Sequence, residues 1–118
     1  MSRKSNINIQ VELDEDKMPE RIDWNAPDGG IDGLQEAKAI LLGLWDGQEK
    51  SALRIDLWTK KMMVDEMNDF FYQTFYGMAD TFARATQNKQ LADEIKAFAK
   101  DFLKKASDAL EQQEKGNN

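Results

Sequence analysis

From Ala52 to Thr59 the chain alternates large apolar and charged side chains at every step: Leu53, Ile55 and Leu57 against Arg54, Asp56 and Trp58. Successive side chains of a strand point to opposite sides, so this period of two describes a strand with one face on a core and the other in solvent. Immediately behind it, the aromatic-rich run from Met63 to Phe82 carries a helical period. A chain that switches period so sharply has to set a sheet beside helices. Leu53, Ile55 and Leu57 are expected inward, and Arg54, Asp56 and Trp58 outward.

The residues before this pivot supply the other strands. Ile7, Ile9, Val11 and Leu13 alternate with Asn8, Gln10 and Glu12, and Arg21 to Asn25 repeats the alternation with Ile22 and Trp24 on one side. Between them, the charged segment Asp14 to Glu20 reads as a solvated turn, because it lacks the ligand spacing and central glycine of a calcium loop. Ala26 to Gly33 is turn-prone, and Asp32 with Gln35 three residues on would form a capping box. A phosphate cradle there would need a G-x-x-x-x-G-K pattern that the segment does not have.

Leu34, Ala37, Ile40, Leu41, Leu44 and Trp45 fall on one side of a helical wheel, which predicts a first helix over 34–45. A second helix is expected over 64–87, with Asp65 and Glu66 in its first turn complementing the dipole, and a break at Gln87-Asn88-Lys89. A third is expected over 90–113, its stripe running from Leu91 through Ile95, Phe98 and Phe102 to Leu110, with residues 114–118 fraying. The expected fold class is therefore α+β: one domain spanning 1–118, ordered from about 5 to 113, in the order β-β-α-β-α-α. Its three-stranded antiparallel sheet would have the order 2-1-3 and be covered on one face by three helices.

Composition narrows the chemistry. The 118 residues contain neither cysteine nor histidine and carry a formal net charge of -6. Thiolate chemistry, disulfides and the commonest general base and metal ligand are thereby removed together. An acidic chain without a basic cluster is unsuited to a phosphate backbone, so no nucleic-acid partner is expected. No apolar run approaches membrane-spanning length and no apolar leader follows Met1, so a cytoplasmic protein without membrane insertion is expected.

The remaining candidates are surfaces. On the outer sheet face, Asn8, Gln10, Glu12, Asp23, Arg54, Asp56 and Trp58 would lie together; pairing of Arg54 with Glu12 or Asp23 explains them structurally, and an exposed Trp58 equally suits a protein contact. On the second helix, Tyr72, Tyr76 and Gly77 either face a partner, with Gly77 admitting a close backbone, or lie under the third helix. Asp65 and Asp69, spaced i and i+4, could hold a hard cation, and solvated helix surface explains them as well.

Several of these runs also carry a resemblance. Glu36-Ala37-Lys38-Ala39, Leu53 to Lys60, Val64 to Phe71 and Met78 to Thr86, together with Trp24 and Asp28-Gly29-Gly30, resemble the gliding motility protein GldC family over about residues 3–103. The resemblance implies a cytoplasmic accessory protein of the bacterial gliding apparatus and its linked secretion machinery. It brings no active site, cofactor or ligand. The reading is a non-enzymatic protein that binds other proteins of that machinery or a second copy of itself, through Arg54, Asp56 and Trp58 or through Tyr72 and Tyr76. The alternatives are a holdase-like binder of apolar segments, using the Met and Phe surplus of the second helix, and a carboxylate-metal enzyme.

Overall fold

A computed structural model describes residues 2–116 of the chain. They form two compact units divided after Met62, the first made of strands and the second of helices. Met1, Asn117 and Asn118 lie outside the described residues, and with them the last two positions of the fraying expected for 114–118.

The first unit holds five strands: β1 (Asn8–Leu13), β2 (Pro19–Ala26), β3 (Ile31–Ala37), β4 (Ala39–Asp46) and β5 (Ser51–Trp58). β1, β2 and β3 make one antiparallel sheet in that order, and β4 and β5 make a second. The expected hairpin of β1 with β2 is present, with Ile9 opposite Trp24 and Val11 opposite Ile22. Its turn is closed by Asp14, whose carboxylate accepts from the backbone N–H groups of Asp16 at 2.8 Å and Met18 at 3.0 Å. Those donors hold the Asp14 carboxyl below its ordinary pKa, the Met18 N–H contributing most.

The expected three-stranded sheet of order 2-1-3 under three helices is not the fold. The 34–45 segment is not a helix but the end of β3 and nearly all of β4, and β5 pairs with β4 instead of lying beside β1. Eight residue pairs, from Ala39 opposite Trp58 to Asp46 opposite Ser51, bind β4 to β5 without a register break. The physical reason lies in the run Ala39 to Trp45. A short, nearly continuous apolar run satisfies a helical stripe and a strand equally, and Gly43 at its centre lowers helix stability by about 1 kcal/mol relative to Ala. Cross-strand pairing decides. Asp32, expected to cap a helix, lies within β3; the turn before it forms as expected, a 3-10 turn over Pro27–Gly29 closed by Gly30 at φ +86°, a conformation glycine adopts without strain.

β3 and β4 are separated by Lys38 alone, and Thr59, directly after β5, reaches back to it. The Thr59 backbone N–H donates to the Lys38 carbonyl at 2.8 Å and its hydroxyl donates to the same oxygen at 3.0 Å. Thr59 is buried, as is Ile22 on β2. The next two residues are also tied to the sheets: Lys60 lies 3.6 Å from the Asp14 carboxylate and Lys61 2.8 Å from Glu36.

The second unit is a hairpin of two helices, α1 (Val64–Thr86) and α2 (Lys89–Gly116). These match the expected second and third helices in place, except that α2 continues through Glu114, Lys115 and Gly116. Glu66 anchors the start of α1 by accepting from the Met63 N–H at 3.2 Å, and Asp65 accepts from the Glu66 N–H. At the break Gln87 takes the left-handed conformation (φ 62°), while the Asn88 side chain accepts from the Leu91 N–H at 3.1 Å. Between the helices the buried residues are small: Ala79, Ala92 and Ala99.

Candidate functional site

Side chains at paired positions of β4 and β5 share a face. One face therefore carries Ile40, Leu42 and Leu44 opposite Leu57, Ile55 and Leu53. The other carries Leu41, Gly43 and Trp45 opposite Asp56, Arg54 and Ala52, with Trp58 opposite Ala39 at its end. The sequence alternation thus sorts the residues as expected, but burial does not follow it. Leu53 and Ile55, expected inward, are both exposed, and Leu57 is half-buried. A two-stranded sheet has too little backbone on either side to cover its own side chains.

Arg54, Asp56 and Trp58 do occupy one face, and Trp45 joins them there. Trp45 is 69% exposed and Trp58 59%. Between the two indoles the Arg54 guanidinium grips Asp56 two residues along the same strand, with Nη2 to Oδ1 at 2.9 Å and Nε to Oδ2 at 3.1 Å. That bidentate hydrogen bond raises the Arg54 pKa further. Gly43 sits opposite: a Cβ there would meet Arg54 Nη1 at 3.3 Å, so the missing side chain leaves room for the guanidinium across the strand. The expected pairing of Arg54 with Glu12 or Asp23 is overturned, since β5 is not in the sheet of β1 and β2. Asp23 is taken by Arg21 at 2.9 Å, and Arg21 also reaches Glu36 at 3.3 Å. The single outer face expected from Asn8, Gln10, Glu12, Asp23, Arg54, Asp56 and Trp58 is in fact divided between two sheets.

Trp45 was out of reach of sequence reading because a helix was expected there. The signal that would have found it is the turn: with Gly47 to Lys50 as a hairpin connection, 39–46 and 51–58 are strands of equal length, and Trp45 lands on the side of Arg54.

The helical hairpin has two unlike sides flanking its alanine seam. On one, Asp80 Oδ1 lies 2.7 Å from Lys96 Nζ, which also stands 4.8 Å above the Tyr76 ring. The Asp80 hydrogen bond raises the Lys96 pKa. The Tyr72 ring lies beside Tyr76, centroids 5.8 Å apart and planes tilted by 48°. A shallow groove of about 420 Å³ on this side is lined by charge, including Asp80, Arg84, Asp93 and Lys96. Tyr72 and Tyr76 are half-buried, Tyr76 under Lys96 of α2.

The opposite side is apolar. Phe71, Phe75, Phe98 and Phe102 form a continuous ring cluster with centroids 5.3 to 6.4 Å apart between the helices. Two adjoining open grooves, of about 660 and 320 Å³, extend it through Met78, Phe82, Ile95 and Leu91. Gly77 lines the rim of this side and, among the described residues, nothing outside its own turn of helix lies within 4 Å of the position of a Cβ. The structure therefore parts Gly77 from Tyr76.

Among the described residues no group of three or more Asp, Glu, His or Cys is placed to hold a metal ion, and no helix is long and apolar enough to cross a membrane. Asp65 spends one carboxylate oxygen on the Glu66 N–H in the first turn of α1.

A family model described as gliding motility-associated protein GldC-like matches residues 19–108, from the start of β2 to within α2. No curated protein matches the chain. No solved structure matches it either.

Proposed function

The chain belongs to the GldC-like family of gliding motility-associated proteins, and from that premise we propose that it is a non-enzymatic accessory protein that works by binding other proteins of the gliding apparatus and its linked secretion machinery. We place its action in the cytoplasm. The observation that carries the reading is the outer face of the β4–β5 hairpin. Two exposed tryptophans bracket an arginine whose guanidinium is already held in place by Asp56. Trp and Arg dominate the energetics of protein contacts, because each brings a large desolvatable surface with a polar edge. An arginine fixed before binding loses less side-chain entropy when a partner arrives. The absence of histidine and cysteine from the sequence leaves this surface better equipped for recognition than for proton transfer.

The test is complementation. In a gliding bacterium lacking the gene, the wild-type chain restores spreading, whereas Trp45→Ser with Trp58→Ser does not, although the variant protein accumulates and melts like the wild type. Restoration by the stable double variant would remove this face from the function. Fractionation of the same cells decides the compartment.

The holdase-like reading keeps one observation in its favour: Met78 is 51% exposed on the apolar side of the helical hairpin. It requires the purified chain to suppress aggregation of an unfolded client at stoichiometric amounts.

A further inference from the structure

We propose that the outer face of the β4–β5 hairpin is self-complementary, and that a second copy of this chain docks the same face on it about a two-fold axis running across the strands. The proposal rests on the reading of this face as the protein-binding surface, and makes the second copy a competitor of any other protein that takes it.

The pairing of β4 with β5 sets the pattern. Each strand carries an alanine at the start of this face, Ala39 or Ala52, and a tryptophan at its end, Trp45 or Trp58. The strands are antiparallel, so the two indoles occupy opposite corners, each opposite the other strand's alanine. In the middle, Gly43 stands opposite Arg54 and Leu41 opposite Asp56.

A two-fold axis across the strands, level with Leu42 and Ile55, exchanges the two ends of each strand. It sets Trp45 over the second copy's Ala39 and Trp58 over its Ala52. In the same step Leu41 comes over Gly43, and Arg54 over Asp56. Each bulky side chain then meets a short one, and each charge meets its opposite. Sheets packed face to face about 10 Å apart interdigitate in this way. An axis along the strands also sets indoles on alanines, but it brings Asp56 over Leu41 and gives Arg54 no second acid. Charge selects the first arrangement.

The ion pair is suited to that closure. Arg54 spends Nε and Nη2 on its own Asp56, which leaves the Nη1 hydrogens to donate to the second copy's Asp56. Two arginines and two aspartates then alternate in a neutral ring, and these hydrogen bonds offset the cost of taking the charges out of water. The opposite face of the same hairpin has no such pattern. Its residues, Ile40, Leu42 and Leu44 against Leu57, Ile55 and Leu53, are all large aliphatics, with no charge to set a register.

Area sets the strength. Eight residues span about 26 Å at roughly 3.3 Å each, over a width of only two strands. The area covered is therefore below the roughly 800 Å² per partner of a standard interface. Ala39 and Leu41 are already half-buried, while the other six positions of the face are exposed. The dimer is accordingly weak, forming at micromolar concentrations, and another protein can displace it.

Sedimentation and light scattering of the full chain, from low micromolar to near-millimolar concentration, test this. The average mass is expected to climb from 13.5 kDa toward twice that value. Arg54→Asp sets acid against acid across the axis and Asp56→Arg sets base against base, so each alone raises the dissociation constant about a hundredfold. Mixing the two variants restores the dimer, although neither chain regains its own in-strand pair. Trp45→Ser with Trp58→Ser keeps the charges and the fold but stays monomeric, which decides the matter if the single reversals do not fold. A wild type that remains at 13.5 kDa throughout overturns the proposal. A dimer indifferent to the reversals or to the serines overturns it equally, as does a mixture of folded variants that stays monomeric. The motility reading fails separately. A monomeric wild type whose double-serine variant still does not restore spreading ends this proposal and leaves that reading, with a different protein on the face. A double-serine variant that restores spreading ends that reading, while a dimer that dissolves on charge reversal stands.

Discussion

The hydroxyl and the backbone N–H of Thr59 both donate to one acceptor, the carbonyl oxygen of Lys38, at 3.0 and 2.8 Å. Lys38 is the single residue between β3 and β4, so this carbonyl stands where the chain passes from one sheet to the other. A bifurcated grip by a buried threonine fixes that passage, and the residue sits just past β5, the strand that pairs with β4.

Thr59→Val keeps the side-chain shape and the backbone donor but removes the hydroxyl. A net hydrogen bond is worth about 1 kcal/mol, and this acceptor keeps a second donor, so the expected loss is about 1 kcal/mol. Urea unfolding measures it as a lower midpoint at unchanged slope. An unchanged midpoint would show that the backbone N–H alone holds Lys38.

Glu36 links the acid side of stability to the same region. Its carboxylate accepts from Lys61 at 2.8 Å and lies 3.3 Å from Arg21, and the Lys61 hydrogen bond, followed by the Arg21 charge, lowers its pKa from the ordinary 4.5. A lowered folded-state pKa stabilises the fold above the unfolded value and ceases to do so as pH falls through the folded one. Melting temperature should therefore decline as pH drops below about 4.5, and Glu36→Gln should flatten part of that decline while lowering the plateau above it. The site is exposed, so added salt should shrink the difference between the two proteins. Parallel wild-type and variant curves would deny Glu36 a part in the acid transition.

The alanine seam of the hairpin sets a limit on size. Ala79 and Ala99 have no exposed surface, and Ala79→Leu forces extra methylenes between α1 and α2 at a cost of about 1–3 kcal/mol. Thermal unfolding followed at the helical circular dichroism signal checks this. A neutral or stabilising result would mean that the two helices separate freely to admit the larger side chain.

How much could be read in advance follows from which forces are local. α1 and α2 were legible in place because a long helical period, early acids and the Gln87-Asn88 break are all encoded within a few residues of where they act. The alternation of β5 was legible for the same reason, and it sorted Arg54, Asp56 and Trp58 to one side correctly. Their surroundings were not. Arg54 found its acid within its own strand, because β5 is not a neighbour of β1, and strand neighbours are set by hydrogen bonding at a distance in sequence.

The sequence by itself determined two helices, a strand that faces two ways, and a family tied to gliding motility, since each depends on residues that are near one another in the chain. Only the tertiary structure decided that Ala39 to Asp46 is a strand. Its apolar run is compatible with a helix, and eight cross-strand partners from Ser51 to Trp58 settle the matter by satisfying its backbone. That pairing brings Trp45 to the same face as Trp58.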